Sequence, residues 1–242
     1  VITYSIKPNI YAGLVCRHRK IPYYANVQGL GTAFQKKLLA KFVGILYKTA
    51  FRRVRVVFFE NEGNAQEFIS RKLVPEDKIV VLNGAGINLE HYMYTPISSR
   101  QGDEKNEVSG DRKIHFLYLG RIMKEKGIDE LFTAMRRLHE EYGDRVVLDI
   151  VGFFEDEYKN EIEKMVEDGI AVFHGFQEET RPYYVLADCV VLPSYHEGMS
   201  NVLLEASAIG RPVITSDIPG CREAVEDGKS GYLCEVKNAD ML

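Results

Sequence analysis

Residues 189–206 read CVVLPSYHEGMSNVLLEA, and they give the clearest indication of how the chain folds. The apolar run Cys189–Leu192 predicts a buried strand, the polar turn behind it ends at Gly198, and a helix is expected to begin near Ser200 or Asn201. A helix N-terminus carries unpaired backbone N–H groups and a partial positive charge, and both favour an anion such as phosphate. Since Gly198 lets the backbone approach such a group closely, we expect an anion-binding turn here.

Two glutamates flank this turn, Glu197 within it and Glu205 in the following helix. Carboxylates do not hold phosphate, but they accept hydrogen bonds from hydroxyl groups on either side of one. Glu205 has apolar neighbours at Leu203, Leu204 and Ala206, so the helix is expected to be largely buried and its carboxylate to need a partner. A pair of ribose hydroxyls would serve; a surface position for Glu205 is the alternative.

Short apolar strands alternate with helical patterns along the chain, which predicts an α/β fold with doubly wound parallel sheets. The polar, aperiodic residues 96–112 separate a first domain, residues 1–95, from a second, residues 113–242. Gly120-Arg121 and Glu197-Gly198 both follow strands of the second domain, and ligands bind such sheets at the carboxyl ends of the strands. The predicted strands are 1–4, 23–27, 54–60, 79–82, 114–119, 146–151, 171–173, 189–192 and 212–215, and the predicted helices are 9–19, 32–51, 64–72, one that includes 128–138, and 155–168.

The composition is that of a globular protein, with 242 residues of which 45% are hydrophobic and 27% charged. No apolar run approaches the roughly 18 residues that a membrane span needs. The four cysteines show no metal-ligand spacing, so we expect free, mostly buried thiols in a reducing cytoplasm. The chain starts within one strand pattern and stops soon after another, and we therefore expect a fragment trimmed at both ends.

The net charge of −4 conceals an asymmetry along the chain. Residues 1–59 hold eleven Lys and Arg and no Asp or Glu, so the remainder carries 20 basic and 35 acidic residues. The helical pattern that starts at Thr32 has apolar residues around about half its circumference and lysines opposite them, and arginines follow it as far as Arg55. We interpret the segment from Thr32 to Arg55 as a basic amphipathic helix at an anionic membrane surface; packing on its own sheet is the alternative.

A basic turn follows the strand 114–119, in the sequence GRIMKEKG of residues 120–127. Arg121 and Lys126 could bind a diphosphate from two sides, Arg121 through its planar guanidinium and Lys126 through its ammonium group. The alternative is that these side chains are only solvated, as basic residues in turns often are. The acidic residues 155–157 are interpreted as charge at a helix start, not as a metal site. The sequence contains no dinucleotide fingerprint, Walker loop, nucleophile elbow or zinc motif.

Taken in order, these motifs resemble the retaining glycosyltransferases of family 4, which have the GT-B architecture of two Rossmann-type domains. In the first domain, TYSIKPNIY at residues 3–11 and NVQGLG at 26–31 resemble the branch that builds bacterial capsule, O-antigen and glycoprotein glycans on polyprenyl-diphosphate-linked acceptors. In the second domain, the resemblance rests on Gly120-Arg121, Lys126-Gly127, His174-Gly175-Phe176, Pro193-Ser194, Glu197-Gly198, Glu205-Ala206, and the segments 210–214 and 228–233.

The resemblance implies a role for each matched residue. Arg121 and Lys126, with Gly120 in the same turn, would bind the donor diphosphate and stabilise charge as the nucleotide leaves, and Glu197 would contact the donor sugar. It further implies a nucleotide-sugar donor, expected to be UDP-linked, with no metal and no cofactor, and a protein on the cytoplasmic face of the membrane. The other implied contacts are the backbone N–H groups of Gly198, Met199, Ser200, Asn201 and Val202 with sugar and phosphate, Glu205 with the ribose, and Phe176 near the base.

The chain departs from the family at a few positions. Many members carry a histidine beside the donor sugar where this chain has Gln28, which cannot act as a general base; this fits a mechanism in which the departing phosphate takes the acceptor proton. The glycine-rich loop expected near the family's amino terminus, the first strands and the closing helix are absent from the sequence.

Two other functions were compared with sugar transfer. A nucleotide-sugar epimerase shares the architecture but needs acid and base residues on both sides of the sugar, and no clear pair is present. A nucleic-acid-binding protein would use residues 1–59, but their aromatic residues lie in strand or helix patterns rather than on an exposed platform. We therefore expect a transferase that moves a sugar from a nucleotide donor to a lipid-linked saccharide.

Overall fold

The computed structural model describes residues 1–30, 34, 37–97 and 112–242. They form two compact units, Val1–Gly86 with His196–Ser200, and Ile87–Tyr195 with Asn201–Leu242. The segment from Ile87 to residue 97 groups with the second unit, because the Thr95 N–H donates to the carbonyl of Ile209 at 3.0 Å. Most of the predicted linker 96–112, and residues 32, 33, 35 and 36 of the predicted amphipathic segment, lie outside the described residues.

The first unit alternates strands with helices along the chain. Its elements are β1 (Ile2–Tyr4), α1 (Ile6–Arg19), β2 (Tyr24–Val27), α2 (Lys37–Ala50), β3 (Val57–Phe59), α3 (Glu62–Ser70) and β4 (Ile79–Val81). The strands are parallel and lie in the order β1-β2-β3-β4. A cluster of aromatic side chains fills the core, with the ring of Phe68 about edge-on to those of Tyr47 and Phe59, each at 5.0 Å between centroids.

The second unit has the same alternation with longer strands. Its elements are β5 (Ile114–Leu119), α4 (Ile128–Tyr142), β6 (Val146–Val151), α5 (Lys159–Glu167), β7 (Ala171–Gly175), α6 (Arg181–Leu186), β8 (Cys189–Leu192), α7 (Asn201–Ile209), β9 (Val213–Ser216) and β10 (Gly231–Cys234). Apolar residues of β5, β6 and β8 form the centre of the core, as expected for mostly hydrophobic parallel strands covered on both faces.

The strand order of the second sheet reverses direction at one place. The order is β10-β9-β8-β5-β6-β7, so the chain builds outward from β5 to one side and then returns to place β8 on its other side. Such a reversal leaves a crevice at the carboxyl ends of the two central strands, where ligands of doubly wound sheets bind. The predicted α/β class with two parallel sheets is confirmed.

Several helix boundaries differ from the sequence-based ones; α3, for example, runs from Glu62 to Ser70 and not from residue 64 to 72. The first predicted helix begins at Ile6 and not at residue 9, because Pro8 lies in the first turn, where a helix needs no N–H donor from it. The helix predicted from residue 155 begins at Lys159, because the N–H groups of Glu155 and Asp156 both donate to the carbonyl of Ile122 and hold these residues in a turn. None of the described helices is long and apolar enough to cross a bilayer.

Candidate functional site

The turn behind β5 carries the two predicted diphosphate ligands. Gly120 ends the strand, and the hydroxyl of Tyr118 donates to the Arg121 carbonyl at 2.6 Å, which fixes the backbone of the turn. The Arg121 side chain is half exposed, and its Nη1 lies 2.7 Å from Oε2 of Glu155. An exposed ion pair of this kind contributes only about 0–1 kcal/mol, so a diphosphate could displace Glu155 from the guanidinium.

The acidic turn behind β6 therefore has a different role from the predicted one. Glu155 pairs with Arg121, and a carboxylate oxygen of Asp156 accepts from the N–H of Lys124 at 2.8 Å. Their charges act on the basic turn and not on the start of α5, which begins at Lys159. The correction comes from a turn-to-turn contact that the local sequence does not reveal. In the described residues, no group of three or more His, Cys, Asp or Glu is placed to hold a metal ion.

Lys126 is half-buried in a short 3-10 turn that leads directly into α4. The next residue, Gly127, has φ of 71°, and a Cβ there would lie 2.1 Å from the carbonyl oxygen of Pro193. The Tyr195 N–H also donates to the Glu125 carbonyl at 2.9 Å. The turn behind β5 and the first residues behind β8 thus touch, and only glycine fits between them.

The helix that follows β8 begins at Asn201, as the sequence predicted. The side chain of Asn201 is exposed and that of Val202 half-buried, so the first turn of α7 reaches the surface of the second unit. The preceding residues Glu197, Gly198, Met199 and Ser200 group with the first unit. Whether Glu197 shares a ligand with Arg121 and Lys126 stays a prediction.

Glu205 is partly buried on α7 and contacts a tyrosine that the sequence analysis did not single out. The Tyr184 hydroxyl donates to Oε2 of Glu205 at 2.7 Å. Burial raises the pKa of Glu205, while hydrogen bonds from Tyr184 and Tyr92 act in the opposite direction. The expected partner of this carboxylate is therefore present within the protein, and a ribose would be an additional one. No local pattern connects Tyr184 on α6 with a carboxylate 21 positions later.

Phe176 lies directly behind β7 and is 63% exposed. Its ring meets that of Phe153, behind β6, at 6.1 Å in an edge-on arrangement, so two exposed aromatic rings lie at the carboxyl ends of neighbouring strands. Asp149 connects those strands, because its carboxylate lies 2.7 Å from the ring nitrogen of His174. Burial raises the pKa of Asp149, but hydrogen bonds from His115 and His174 outweigh it and leave that pKa below its usual value.

A buried acidic residue at the carboxyl end of β3 was missed by the sequence analysis. Glu60 is 4% exposed and Asn61 2% exposed, and both lie against the segment His196–Ser200 of the same unit. Burial raises the pKa of Glu60 above its usual value, and hydrogen bonds from the Met199 N–H and from the side chains of Gln28 and Asn26 offset only part of this rise. The available sequence signal was an acid placed directly behind an apolar strand, in the run VFFEN.

The chain matches a known family and several named proteins. The family described as glycosyl transferases, group 1, matches residues 113–242. The N,N'-diacetylbacillosaminyl-diphospho-undecaprenol alpha-1,3-N-acetylgalactosaminyltransferase of Campylobacter jejuni is 30% identical over 98% of this chain and 63% of its own length. The capsular polysaccharide biosynthesis glycosyltransferase CapM of Staphylococcus aureus is 27% identical over 72% of this chain and 47% of its own. The chain thus spans about half to two thirds of these relatives.

Solved structures show the same fold. Anabaena Alr3699/HepE in complex with UDP superposes with a TM-score of 0.77 at 17% identity, over 99% of this chain and 66% of that one. The sucrose-phosphate synthase of Thermosynechococcus elongatus gives 0.75 at 21% identity, over 99% and 61%. The predicted GT-B fold is confirmed.

Proposed function

The chain belongs to the group 1 glycosyl transferases, and from that membership we propose that it moves a sugar from a UDP-linked donor to a polyprenyl-diphosphate-linked saccharide, with retention at the anomeric carbon. The acceptor class is supported by the named activity of the Campylobacter jejuni relative, which matches nearly the whole chain. The nucleotide is supported by the UDP in a structure of the same fold. Neither the epimerase nor the nucleic-acid alternative has comparable support.

The observation that carries the proposal is the reversal of strand order between β5 and β8. It brings the turn with Arg121 and Lys126 against Pro193, at the carboxyl ends of the two central strands. Cations there stabilise the negative charge that grows on the diphosphate as the bond to the sugar breaks. A diphosphate needs no metal where two cations and helix N–H groups neutralise it, and we propose none.

The remaining proposed contacts with the donor involve residues that follow strands of the second sheet. Glu205, half-buried on α7, is proposed to accept hydrogen bonds from the ribose, and the exposed ring of Phe176 to lie against the base. Backbone N–H groups at the start of α7 are proposed to bind phosphate, and Glu197 to contact the sugar. The glycosidic bond forms to the acceptor oxygen as the sugar–phosphate bond breaks, and the departing diphosphate takes the acceptor proton.

Replacing Glu205 by alanine is expected to weaken UDP binding about tenfold, since hydrogen bonds to a charged group contribute roughly 1.5–3 kcal/mol. Titration calorimetry with UDP measures this effect. Tyr184→Phe removes the hydroxyl that donates to Glu205 but keeps the carboxylate, and Glu167→Ala removes an exposed glutamate on α5. Both controls should bind UDP within about twofold of wild type. Equal affinity of Glu205→Ala and wild type would contradict the proposed ribose contact.

We also propose that α2 rests on an anionic membrane surface. The helix has two apolar faces, of which one, with Val43 and Tyr47, is buried in the core of its own unit. The other remains exposed, with exposed fractions of 87% for Leu38, 59% for Phe42 and 57% for Ile45. Lys41 and Lys48 are exposed on the same helix, and residues 1–59 contain no acid to offset them. Apolar side chains flanked by cations suit the boundary between lipid headgroups and acyl chains.

The double variant Phe42→Ser, Ile45→Ser is expected to reduce binding to vesicles that contain about 30% phosphatidylglycerol at least tenfold, because two large apolar side chains no longer enter the bilayer. Co-sedimentation measures the bound fraction. Leu186→Ser, which removes an exposed leucine of the second unit, is the matched control and should bind as wild type does. Equal binding of the double variant and this control would exclude α2 as the contact surface.

A further inference from the structure

One peptide group in the turn before α7 is held at both of its polar ends. The carbonyl oxygen of Gly198 accepts a hydrogen bond from Nδ2 of Asn61. The N–H of Met199, the other polar group of the same peptide, donates to the carboxylate of Glu60. The two partners are consecutive residues at the carboxyl end of β3, and all four residues belong to the first unit.

The orientation of Asn61 is set by α3. Its Oδ1 accepts the N–H of Asn64 at 2.8 Å and so caps the helix, which leaves Nδ2 as the group that faces Gly198. Glu60 and Asn61 are almost wholly buried, so water competes little for either bond. Glu60 also accepts hydrogen bonds from the side chains of Gln28 and Asn26, so its carboxylate is itself held by neighbouring residues of the first unit.

The backbone of this turn lies directly on the end of β2. A Cβ at Gly198 would lie 1.7 Å from the carbonyl oxygen of Gln28 and 2.9 Å from Oε2 of Glu60. Steric contact and two hydrogen bonds therefore restrain the same peptide. Rotation of this peptide plane, which would exchange the positions of the N–H and the carbonyl, would break both hydrogen bonds at once.

We propose that Glu60 and Asn61 are positioning residues that fix the Gly198–Met199 peptide and thereby aim the neighbouring backbone N–H groups at the donor phosphates. The inference rests on the proposed function, because it assigns these residues to the same donor site. Neither side chain touches the donor; each acts through the turn. The Met199 N–H, which the sequence analysis assigned to the donor, serves this restraint instead. Backbone N–H groups that are already held in place before the ligand arrives need no reorganisation when it binds.

The test compares two ligands that differ only in phosphate, UDP and uridine. Asn61→Asp keeps the oxygen that caps α3 but replaces the donor nitrogen with an acceptor, and Asn61→Ser keeps a capping oxygen with no group long enough to replace Nδ2. Glu60→Ala removes the acceptor for the Met199 N–H, whereas Glu60→Gln retains a carbonyl acceptor. Thermal melting checks that each variant is folded, and calorimetry and competition titrations give the two dissociation constants.

We expect Asn61→Asp, Asn61→Ser and Glu60→Ala to weaken UDP binding about tenfold and uridine binding less than twofold, with Glu60→Gln close to wild type for both ligands. Equal weakening of UDP and uridine would mean that the residues only support the fold, and unchanged UDP affinity in all folded variants would also overturn the inference. If the wild-type protein does not bind UDP, the proposed function fails; if it does and these variants match it, only the positioning role fails.

Discussion

Replacing Gly198 by alanine is expected to lower kcat/KM for sugar transfer about 100-fold or more, since displacement of a reacting group by about 1 Å has that effect. The added Cβ would lie 1.7 Å from the Gln28 carbonyl oxygen, and both groups are backbone, so the turn must move away from the strand end. That movement breaks the bonds of the Gly198–Met199 peptide to Asn61 and Glu60.

Release of UDP from a panel of UDP-sugars, measured with a polyprenyl-diphosphate-linked acceptor, gives this rate. Gly29→Ala is the matched control, because among the described residues a Cβ at Gly29 meets only the Gly198 nitrogen, at an ordinary contact distance of 4.0 Å. The control should retain activity within about threefold of wild type. A Gly198→Ala enzyme as active as the Gly29→Ala enzyme would show that the close backbone approach has no part in catalysis.

Arg211→Ala is expected to lower the free energy of unfolding by about 4 kcal/mol, one of the largest single losses in this protein. Arg211 is 2% exposed, and its guanidinium donates to the carbonyl oxygens of Tyr184 at 2.9 Å, Val185 at 3.0 Å and Thr95 at 2.8 Å. Two of these carbonyls belong to the last turn of α6, which also favours a positive charge. Alanine would remove the guanidinium from all three carbonyls, which are buried or partly buried, although the Tyr184 carbonyl would keep the Ala187 N–H at 3.3 Å.

Urea denaturation of the two proteins gives the difference in unfolding free energy. Arg222→Ala is the control, since its guanidinium is about half exposed and pairs with Asp217, a contact expected to contribute less than about 1 kcal/mol. Arg211→Lys should recover little of the loss, because one ammonium cannot reach carbonyls that a planar fork reaches together. A loss below about 1 kcal/mol for Arg211→Ala would mean that water replaces the guanidinium.

The sequence predicted the strands of the second unit well, and there is a physical reason. β5, β6 and β8 begin and end where the sequence analysis placed them, because each is a mostly apolar run, with His115 in β5 and Asp149 in β6 as exceptions, and each ends at a glycine or proline. Their lateral order was not predicted, since runs of similar apolar character do not specify which strand lies beside which. The reversal that places β8 against β5 became visible only in the folded chain.

The sequence indicated which residues could form the candidate site, but not which other side chains contact them. Glu205 was expected to lie in a largely buried helix and to need a hydrogen-bond donor, and the side chain is partly buried and accepts a hydrogen bond from Tyr184. Tyr184 itself, and the pairing of Arg121 with Glu155, join segments far apart in the chain, so no periodicity indicates them. Glu60 and Asn61 were overlooked because short-range patterns give no sign that a turn from residues 196–200 covers them.

The central place of β5 also affects how the protein is made. During synthesis the four strands of the first unit leave the ribosome first, then β5 and β6, and β8 follows only after two further helices and another strand. Until β8 arrives, one edge of β5 presents unpaired N–H and carbonyl groups beside Leu117 and Tyr118, which are fully buried in the finished fold. Because parallel neighbours cannot form through a tight hairpin, the nascent chain must wait with that edge open, where it can aggregate unless chaperones shield it.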